Sequence, residues 1–480
     1  MFGHPAGLKT LFFTELWERL SYYGMRALLV LFLVGAIETG GFGMTSEKAG
    51  AIYGLYTAMV YLCALPGGWI ADRILGLRQS VFVGGVIIAA GHFSMAIPSV
   101  STFYFGLVLI VIGTGLLKPN ISALVGELYP EGGGRRDAGF SLYYMGINLG
   151  AFLGPLVCGY LGQKHSWHLG FSAAGIGMVF GLIQYRMGLK NLGDAGAVSV
   201  DPAVRASSIR QFGFGLGGLV SVIAFATALQ LMGVIGLTVG LVAQGLGLFI
   251  ALVAILYFAY ILVLGNWSLV EKKRIVVIFF LFLSSAMFWA GFEQAGSSMN
   301  LFADRLTNLS IMGWEFPSTY FQSVNPFFII ILAPGFAWVW VWLKHREPSI
   351  PVKFGIALLL MSGGFLLIGW GATYATEATK VSPIWLIMTY LLHTTGELCL
   401  SPVGLSSVTK LAPKALVGQM MGMWFTGTAL GNLIAGLSGG LFDSLPLPQL
   451  FGTVAAFGVV FGIVLIVFKG PITKLCGGVK

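Results

Sequence analysis

The feature that most limits how this 480-residue chain can fold is a series of long apolar runs. An α-helix needs roughly 20 apolar residues to cross about 30 Å of hydrocarbon. The runs form a set of six, a pair without any charged residue, and a second set of six. Their approximate bounds are 8–36, 49–72, 79–97, 101–122, 137–162, 168–189, 212–232, 235–264, 274–303, 318–343, 352–370, 381–409, 414–438 and 449–468. We therefore predict an all-α polytopic membrane protein with 14 transmembrane helices.

The composition excludes a soluble protein. Hydrophobic residues make up 57% of the chain, charged residues only 9%, and the mean hydropathy is +0.88. Such a chain has too little polar surface to cover an aqueous exterior. We interpret the four scattered cysteines as structural, because they show neither metal-ligand spacing nor disulfide density. The sequence also contains no phosphate-binding glycine loop and no nucleophile triad, so we expect no cofactor and no metal.

The positive charges indicate which way the helices run. Most of the 27 lysines and arginines fall in loops on the face that holds both ends of the chain. The other face receives Lys48, Lys164, Arg305 and Lys380. This asymmetry places both termini in the cytoplasm and requires an even number of spans. It also explains the pI of about 9.3 without a nucleic-acid partner. A count of 12 would put the apolar pair within 212–264 outside the membrane, which we consider less consistent with its composition.

Apart from charges at the ends of the runs, seven charged residues nevertheless lie well inside them. They are Glu15, Glu18, Arg19, Arg26, Lys118, Glu293 and Glu397. Each charge costs at least about 2.5–3.5 kcal/mol in the hydrocarbon core, so such residues usually line a substrate or ion path. We predict that they share one polar cavity. The alternative is that they are buried ion pairs that only fix helix packing.

The first run arranges its polar residues in a stripe. At about 100° per residue, four of them fall within about 60° of one another, and two more flank them. The four are Glu15, Arg19, Tyr22 and Arg26, and the two on the flanks are Glu18 and Tyr23. Charges of alternating sign with two phenols suit a zwitterionic or polar ligand, because each ligand charge finds a partner as its water is removed.

The segment "ELWERLSYY", residues 15 to 23, resembles the Glu-x-x-Glu-Arg-Phe-x-Tyr-Tyr signature of the proton-dependent oligopeptide transporter (POT/PTR) family, a branch of the major facilitator superfamily. Leu20 stands where the family usually has phenylalanine. The exchange replaces one apolar side chain with another and keeps every ionisable and phenolic position. The uncharged pair of helices between two sets of six is typical of the prokaryotic members.

Further motifs along the chain carry the same resemblance. The segment "GGWIADRILGLRQS" is similar to the superfamily's loop between its second and third helices, and we predict that it acts as a gating latch rather than as a plain solvated turn. "GLLKPNIS" and "FSLYYMGINLGAFLGP" are similar to the family's fourth and fifth helices. In the second half, "FWAGFEQAGSS", "SVNP", "GELCLSP" and "GMWF" match family binding-site positions. The residues that these motifs supply are Asp72, Arg73, Arg78, Lys118, Asn148, Trp289, Glu293, Asn325, Glu397 and Trp424.

The resemblance implies a major facilitator fold in which two pseudo-symmetric bundles rock about a central site. We expect a six-helix bundle over 1–190, linker segments with a two-helix insertion over 191–270, and a second six-helix bundle with a short tail over 271–480. The implied activity is the import of di- and tripeptides with protons, driven by the proton gradient and the membrane potential. We expect a monomer in a bacterial inner membrane.

The residues suggest how such a substrate is held. Arg19 and Lys118 are expected to bind the peptide carboxylate, and Arg26 lies beside them. Glu397, with Asn148 and Asn325, is expected to receive the ammonium group. Five aromatic residues are candidates for side-chain pockets, although a packing role is equally consistent with each. They are Tyr22, Tyr23, Tyr61, Trp289 and Trp424.

Proton coupling requires a carboxylate whose proton affinity changes between conformations. Glu293 is the first candidate, because an ion pair with Arg26 or Lys118 across the cavity keeps it ionised in one state and releases it in another. The cluster of Glu15, Glu18 and Arg19 is the second candidate. The two carboxylates there either relay a proton or simply neutralise the arginine.

Two other functions compete with peptide import. The first keeps the fold and changes the cargo to nitrate, a drug or another small organic anion; loss of Glu397 then spares transport. The second is an intramembrane enzyme or a receptor that binds peptide without moving it. A membrane hydrolase needs an arranged nucleophile and base, and the sequence gives no positive sign of either.

Overall fold

The computed structural model describes residues 3–197, 200–343, 346–376 and 378–478. Seven helices form its first part: α1 (Ala6–Val34), α2 (Ser46–Leu62), α3 (Ala64–Ile70), α4 (Leu77–Met95), α5 (Val100–Glu127), α6 (Gly133–Lys164) and α7 (Trp167–Gly188). Two more follow the linker: α8 (Pro202–Leu231) and α9 (Val239–Leu264).

The second part of the chain is also helical and contains one small β-hairpin. Its elements are α10 (Leu269–Phe292), α11 (Ser298–Leu306), β1 (Ser310–Ile311), β2 (Trp314–Glu315), α12 (Val324–Leu343), α13 (Ile350–Ala372), α14 (Ile384–Leu411), α15 (Val417–Gly439), α16 (Leu447–Val467) and α17 (Lys469–Leu475). The strands of the hairpin pair antiparallel.

The helices coincide with the predicted apolar runs, so the all-α membrane fold is confirmed. Ten helical segments of the described chain are long and apolar enough to cross a membrane by length and composition. Helices α1, α4, α14 and α15 also match predicted runs but do not meet that criterion. The number of 14 crossings therefore stays a prediction.

Two of the predicted runs are interrupted rather than continuous. The run 49–72 passes from α2 to α3 at Cys63 and ends in a π-helical turn at Ala71–Leu75. The run 274–303 breaks after α10, where a 3₁₀ turn at Glu293–Gly296 leads into α11. A Cβ atom on Gly296 would lie 2.3 Å from the Tyr53 hydroxyl oxygen, so the break lets α2 approach the chain closely.

The helices pack into two bundles. In the first, α1 contacts α6 and α7, and α4 contacts α5 and α7. In the second, α10 contacts α13, α14 and α15, and α13 contacts α16. The bundles meet where α2 packs on α15 and where α6 packs on α12.

The two inserted helices differ in their surroundings. Helix α9 packs against both α2 and α15, which belong to different bundles. Helix α8 is exposed along almost its whole length, and Ser208 is its one fully buried residue. An apolar helix with an exposed surface is what lipid contact requires, so α8 faces lipid while α9 covers the seam between the bundles.

The ends of the helices define two faces of the molecule. We call the face that holds residues 3–5 and 476–478 the termini face. The face that holds the loops 35–45, 307–317 and 440–446 is called the opposite face. Contacts such as the Arg135 side chain donating to the Gly3 carbonyl (2.8 Å) and Arg274 donating to the Cys476 carbonyl (3.1 Å) join segments of the termini face.

Three glycines of α6 bring it against α1, as their four-residue spacing predicts. A Cβ atom on Gly150 would lie 2.2 Å from the Leu16 carbonyl oxygen, and one on Gly154 would lie 2.5 Å from the Leu20 carbonyl oxygen. A Cβ atom on Gly146 would meet the Phe12 ring at 2.9 Å. Small residues at such a seam allow close backbone approach without a hydrophobic driving force. The seam fixes the position of the charged helix α1.

Replacing Gly150 with alanine is expected to destabilise the protein, because the obstacle at this site is backbone rather than a flexible side chain. Overpacking of this kind costs about 1–3 kcal/mol. The measurement is thermal unfolding of the purified protein in detergent. Gly217→Ala is the matched control, since no atom lies within 4 Å of its Cβ position on α8. Equal midpoints for both variants would contradict the close α1–α6 approach.

Candidate functional site

The charges of α1 face the protein interior. Glu15, Glu18, Arg19 and Arg26 expose 1%, 1%, 4% and 6% of their surfaces. Helix α1 is surrounded by α6, α7 and α2, and nearly all its residues from Leu8 to Leu33 are buried. Charges on such a helix need partners within the bundle, because no water replaces the lost hydration.

Arg19 lies between two carboxylates. Its Nε atom donates to Glu15 Oε1 at 2.7 Å and lies 2.9 Å from Glu18 Oε2. The Tyr143 hydroxyl on α6 donates to the second oxygen of Glu15 at 2.8 Å. Neither oxygen of Glu18 has a well-directed hydrogen bond among the described residues. The predicted stripe is therefore one compact cluster, with Glu18 the less satisfied of its two acids.

Arg26 connects the two bundles. Its Nη1 atom donates to Glu293 Oε2 at 2.7 Å, and both side chains are buried. The Tyr53 hydroxyl on α2 donates to the Glu293 backbone carbonyl at 3.0 Å. That carbonyl lies at the break after α10, where the regular helix ends. Glu293 is thus held from the first bundle through both its side chain and its main chain.

Aromatic rings cover the cationic groups of the first bundle. Lys118 Nζ lies 4.0 Å from the centre of the Tyr61 ring, and the Arg26 guanidinium lies 4.9 Å from the centre of the Tyr23 ring. Arg19 lies 5.9 Å from the Tyr22 ring. No carboxylate lies within 4.0 Å of Lys118 Nζ in the described part of the chain. Lys118 is consequently the cation most available to an anionic ligand.

The second bundle carries an acid beside an amide. Asn325 Nδ2 on α12 lies 3.0 Å from Glu397 Oε2 and 2.9 Å from the Thr394 hydroxyl oxygen, both on α14. Asn148, the third member of the predicted ammonium site, donates instead to the Tyr144 carbonyl on its own helix at 2.9 Å. The structure therefore joins Asn325 and Glu397 directly, and the one side-chain hydrogen bond of Asn148 among the described residues stays within α6.

The two tryptophans have different surroundings. Trp424 is 4% exposed, and its ring fills the space beside Gly404, where a Cβ atom would be 2.1 Å away. Trp289 is half-buried, and its indole N–H has no hydrogen-bond partner among the described residues. The packing interpretation fits Trp424 in this conformation, while Trp289 retains a free polar group for a ligand.

The loop that we predict to be a gating latch, residues 67–80, forms hydrogen bonds with the linker that follows α7. Arg78 Nε donates to the Ala195 carbonyl at 2.7 Å, and its Nη2 atom donates to the Gly193 carbonyl at 2.5 Å. Asp72 and Arg73 are exposed and form no ion pair in the described chain. The linker carbonyls accept both of these hydrogen bonds from Arg78 in this conformation, and the role of the loop as a gating latch stays a prediction.

All hydrogen bonds between the two bundles, within the described residues, lie at mid-height or on the opposite face. They include the Arg26–Glu293 pair, the bond from Asn300 to the Ala27 carbonyl (2.9 Å) and the bond from Ser46 to Asp443 (2.5 Å). Because the described hydrogen bonds join the bundles only at mid-height and on the opposite face, we infer that the half-buried site residues line a cleft on the side of the termini face. Those residues are Tyr23, Tyr61, Lys118, Trp289 and Asn325.

Sequence reasoning missed several polar partners of the site. Tyr53 and Tyr143 bind Glu293 and Glu15, and Gln163 bonds to the second bundle at the opposite face. A single tyrosine or glutamine in an apolar helix does not differ in sequence from one that only packs. The one available signal for Tyr143 is its position in the fifth-helix motif.

The described residues contain no group of three or more histidine, cysteine, aspartate or glutamate side chains that could hold a metal ion. The cysteines at 63, 158, 399 and 476 are free thiols and lie apart in the fold. The chemistry available at the site is therefore that of carboxylates, cations, amides and aromatic rings.

Comparison with known proteins gives a consistent result. The family model PTR2, described as the POT family, matches residues 78–453. An uncharacterized transporter of Bacillus subtilis (strain 168), YclF, is 44% identical over 100% of this chain and 96% of its own length. The peptide transporter YePEPT of Yersinia enterocolitica is 43% identical over 99% of this chain and 96% of its own length.

Solved structures are similar along the whole chain as well. A crystal structure of the peptide transporter POT in complex with sulfate superposes with a TM-score of 0.92 at 42% identity, covering 99% of this chain and 96% of that one. A POT family transporter in complex with 5-aminolevulinic acid has a TM-score of 0.91 at 35% identity, with 98% of each chain covered.

Proposed function

Because this chain belongs to the POT family of membrane transporters, we propose that it imports di- and tripeptides together with protons by alternating access. It is a transporter and not an enzyme. The proposal concerns the cargo, the coupling ion and the direction of transport.

The observation that carries the proposal is the separation of charge across the cleft. The cations Arg19 and Lys118 belong to the first bundle, and the Glu397–Asn325 pair belongs to the second. A short peptide is a zwitterion, so its carboxylate is matched on one bundle and its ammonium group on the other. A ligand bound at both ends draws the bundles together, and its length must match the distance between the two walls.

We assign the carboxylate to Lys118 first and to Arg19 second. Arg19 is already neutralised by two acids at 2.7 and 2.9 Å, whereas Lys118 has only an aromatic neighbour. Glu397 is 8% exposed and has one amide donor, so it retains acceptor capacity for an ammonium group. The half-buried rings of Tyr23, Tyr61 and Trp289 are left for the peptide side chains.

We assign proton coupling to the Arg26–Glu293 pair. Removing one member of a buried ion pair leaves an uncompensated charge, so separation of Arg26 from Glu293 favours protonation of the acid. Because the pair joins the bundles, its separation accompanies their movement. The Glu15, Glu18 and Arg19 cluster lies within one bundle and is the less suitable switch.

The proposal also covers the two bundles that move, the membrane that holds the protein and the energy source. We propose that 1–190 and 271–480 move as two bodies within a monomer, with 191–270 between them. The membrane is the bacterial inner membrane with both termini in the cytoplasm, so the cleft of this conformation opens inward. The energy source is the proton gradient with the membrane potential, and no cofactor is required.

The deciding experiment is uptake of labelled dialanine into liposomes that contain the purified protein, with an inside-negative potential and a controlled pH gradient. Accumulation above the outside concentration that a protonophore collapses is the expected result. Absence of peptide uptake by protein that is folded and inserted would overturn the proposed cargo, and nitrate and small organic anions would be assayed next.

A further inference from the structure

We propose that Gln163, near the end of α6, is a positioning residue for transport whose side-chain amide holds the opposite face closed. This inference rests on the proposed alternating-access function but not on the identity of the cargo. No motif of the sequence pointed to this residue, and it lies at the opposite face, away from the ion pairs of the central site.

The Gln163 amide makes four hydrogen bonds, all to the second bundle. Its Nε2 atom donates to the Ser318 hydroxyl oxygen at 2.8 Å and to Asp304 Oδ1 at 3.2 Å. Its Oε1 atom accepts from the Thr319 backbone N–H at 3.1 Å and from the Thr319 hydroxyl at 3.0 Å. A glutamine amide has two donors and two acceptor positions, so its whole capacity is used across the boundary.

Two partners of Gln163 on the second bundle are more deeply buried than Gln163 itself, which is partly exposed, as is Asp304. Ser318 and Thr319 are fully buried, and a Cβ atom on Gly159, one turn before Gln163, would lie 2.0 Å from the Thr319 hydroxyl oxygen. The Ser318 hydroxyl also donates to Asp304 at 2.8 Å, which fixes the acceptors. Breaking the bonds to Ser318 and Thr319 leaves buried polar groups without a partner, and this costs free energy until water reaches them.

The other polar contacts on this face are weaker candidates for the same role. Lys164 lies 3.2 Å from Glu315, but the Glu315 side chain is 71% exposed. Exposed ion pairs contribute little, because water screens them. The Ser46–Asp443 bond between the bundles is partly solvated as well, since the Asp443 side chain is 53% exposed, and the Arg305–Asp443 pair lies within the second bundle. Asn300 makes one buried bond to the Ala27 carbonyl of the first bundle, whereas Gln163 makes four bonds to the second bundle, so we choose Gln163 as the side chain to test.

The test uses the full-length protein in lipid nanodiscs without substrate, followed by hydrogen–deuterium exchange. In Gln163→Leu, exchange is expected to rise at 155–165 and 304–323 on the opposite face. It is also expected to fall at 133–145 and 401–411 on the termini face, because a bundle that opens on one side closes on the other. Loss of these bonds should raise the ratio of outward-open to inward-open protein by about tenfold.

The expected decrease in hydrogen–deuterium exchange at the termini face distinguishes a gating role of Gln163 from a local packing role. Increased exchange near residue 163 alone, with the termini face unchanged, would overturn the proposal. Gln184→Leu is the matched control, because Gln184 accepts from Thr14 at 3.0 Å inside the first bundle and joins no second body. The same pattern in that control would also overturn it.

A second variant covers the case in which Gln163→Leu does not fold. Thr319→Val keeps the shape of the side chain beside Gly159 and removes one of the four bonds from the other bundle. It should shift exchange at both faces in the same directions and by a smaller amount. No shift at the termini face in folded Thr319→Val protein would contradict the gate. The exchange pattern needs no cargo, so failure of dialanine uptake does not affect this test.

Discussion

Replacing Glu293 with glutamine is expected to abolish proton-driven accumulation of peptide while leaving peptide exchange across the membrane. The amide keeps the size of the side chain but neither ionises nor forms an ion pair with Arg26, which lies 2.7 Å away in the native protein. One proton moving through about 100 mV supplies about 2.3 kcal/mol, which corresponds to roughly fiftyfold accumulation. The inside-to-outside ratio should therefore fall from a value of this order to about one.

The measurement is the steady-state ratio of labelled dialanine in proteoliposomes, together with counterflow in the absence of any gradient. Glu131→Gln provides the control, because Glu131 belongs to an exposed ion pair with Arg135 on the termini face. Uphill accumulation in the Glu293→Gln protein would exclude Glu293 as the essential proton site. Attention would then move to Glu15 and Glu18, the acids beside Arg19.

The second large effect is expected from Lys118→Ala, with an outcome that depends on the end of the peptide. A hydrogen bond to a charged group contributes about 1.5–3 kcal/mol, so affinity for a free dipeptide should fall roughly ten- to a hundredfold. A dipeptide amide lacks the carboxylate and should lose much less. Competition against labelled dialanine for both ligands gives the two ratios, and exposed Lys190→Ala is the control.

The Lys118→Ala variant is a better test of the carboxylate site than Arg19→Ala, because loss of Arg19 also affects stability. Removing Arg19 leaves Glu15 and Glu18 buried without their cation, and breaking a buried pair in this way costs about 3–5 kcal/mol. Loss of transport in Arg19→Ala therefore mixes instability with recognition. Equal losses for the acid and the amide in Lys118→Ala would move the carboxylate site elsewhere.

The sequence was sufficient for the fold because apolar length and intramembrane charge are constraints that need no tertiary information. The runs at 212–232 and 235–264 matched α8 and α9 on composition alone, and the spacing of Gly146, Gly150 and Gly154 predicted a close helix contact. The interruption of the run 274–303 was not predictable, since nothing in "GFEQAGSS" forbids a continuous helix. At the break, Tyr53 of another helix lies against Gly296, a contact that the sequence does not reveal.

The site was predictable only to the level of which residues carry charge. The sequence left Glu293 with two alternative partners, and the structure pairs it with Arg26. It grouped Asn148 with Glu397, whereas the structure uses Asn148 within α6. In each case the sequence offers several partners of similar chemistry. Which of them forms the contact depends on distances that exist only in the folded chain.

The double attachment of Glu293 has a consequence for the fidelity of coupling. Protonation cancels the attraction between its carboxylate and Arg26 and weakens the 3.5 Å contact of the Tyr53 hydroxyl with Glu293 Oε2, but the hydroxyl still donates to the uncharged Glu293 backbone carbonyl at 3.0 Å. Protonation of Glu293 alone therefore weakens its contacts with the first bundle but does not break all of them. We expect the peptide to complete the release, so that an empty carrier that has taken up a proton stays where it is. Under the proposed assignment of proton coupling to Glu293, a helix broken beside this residue would thus limit futile dissipation of the proton gradient.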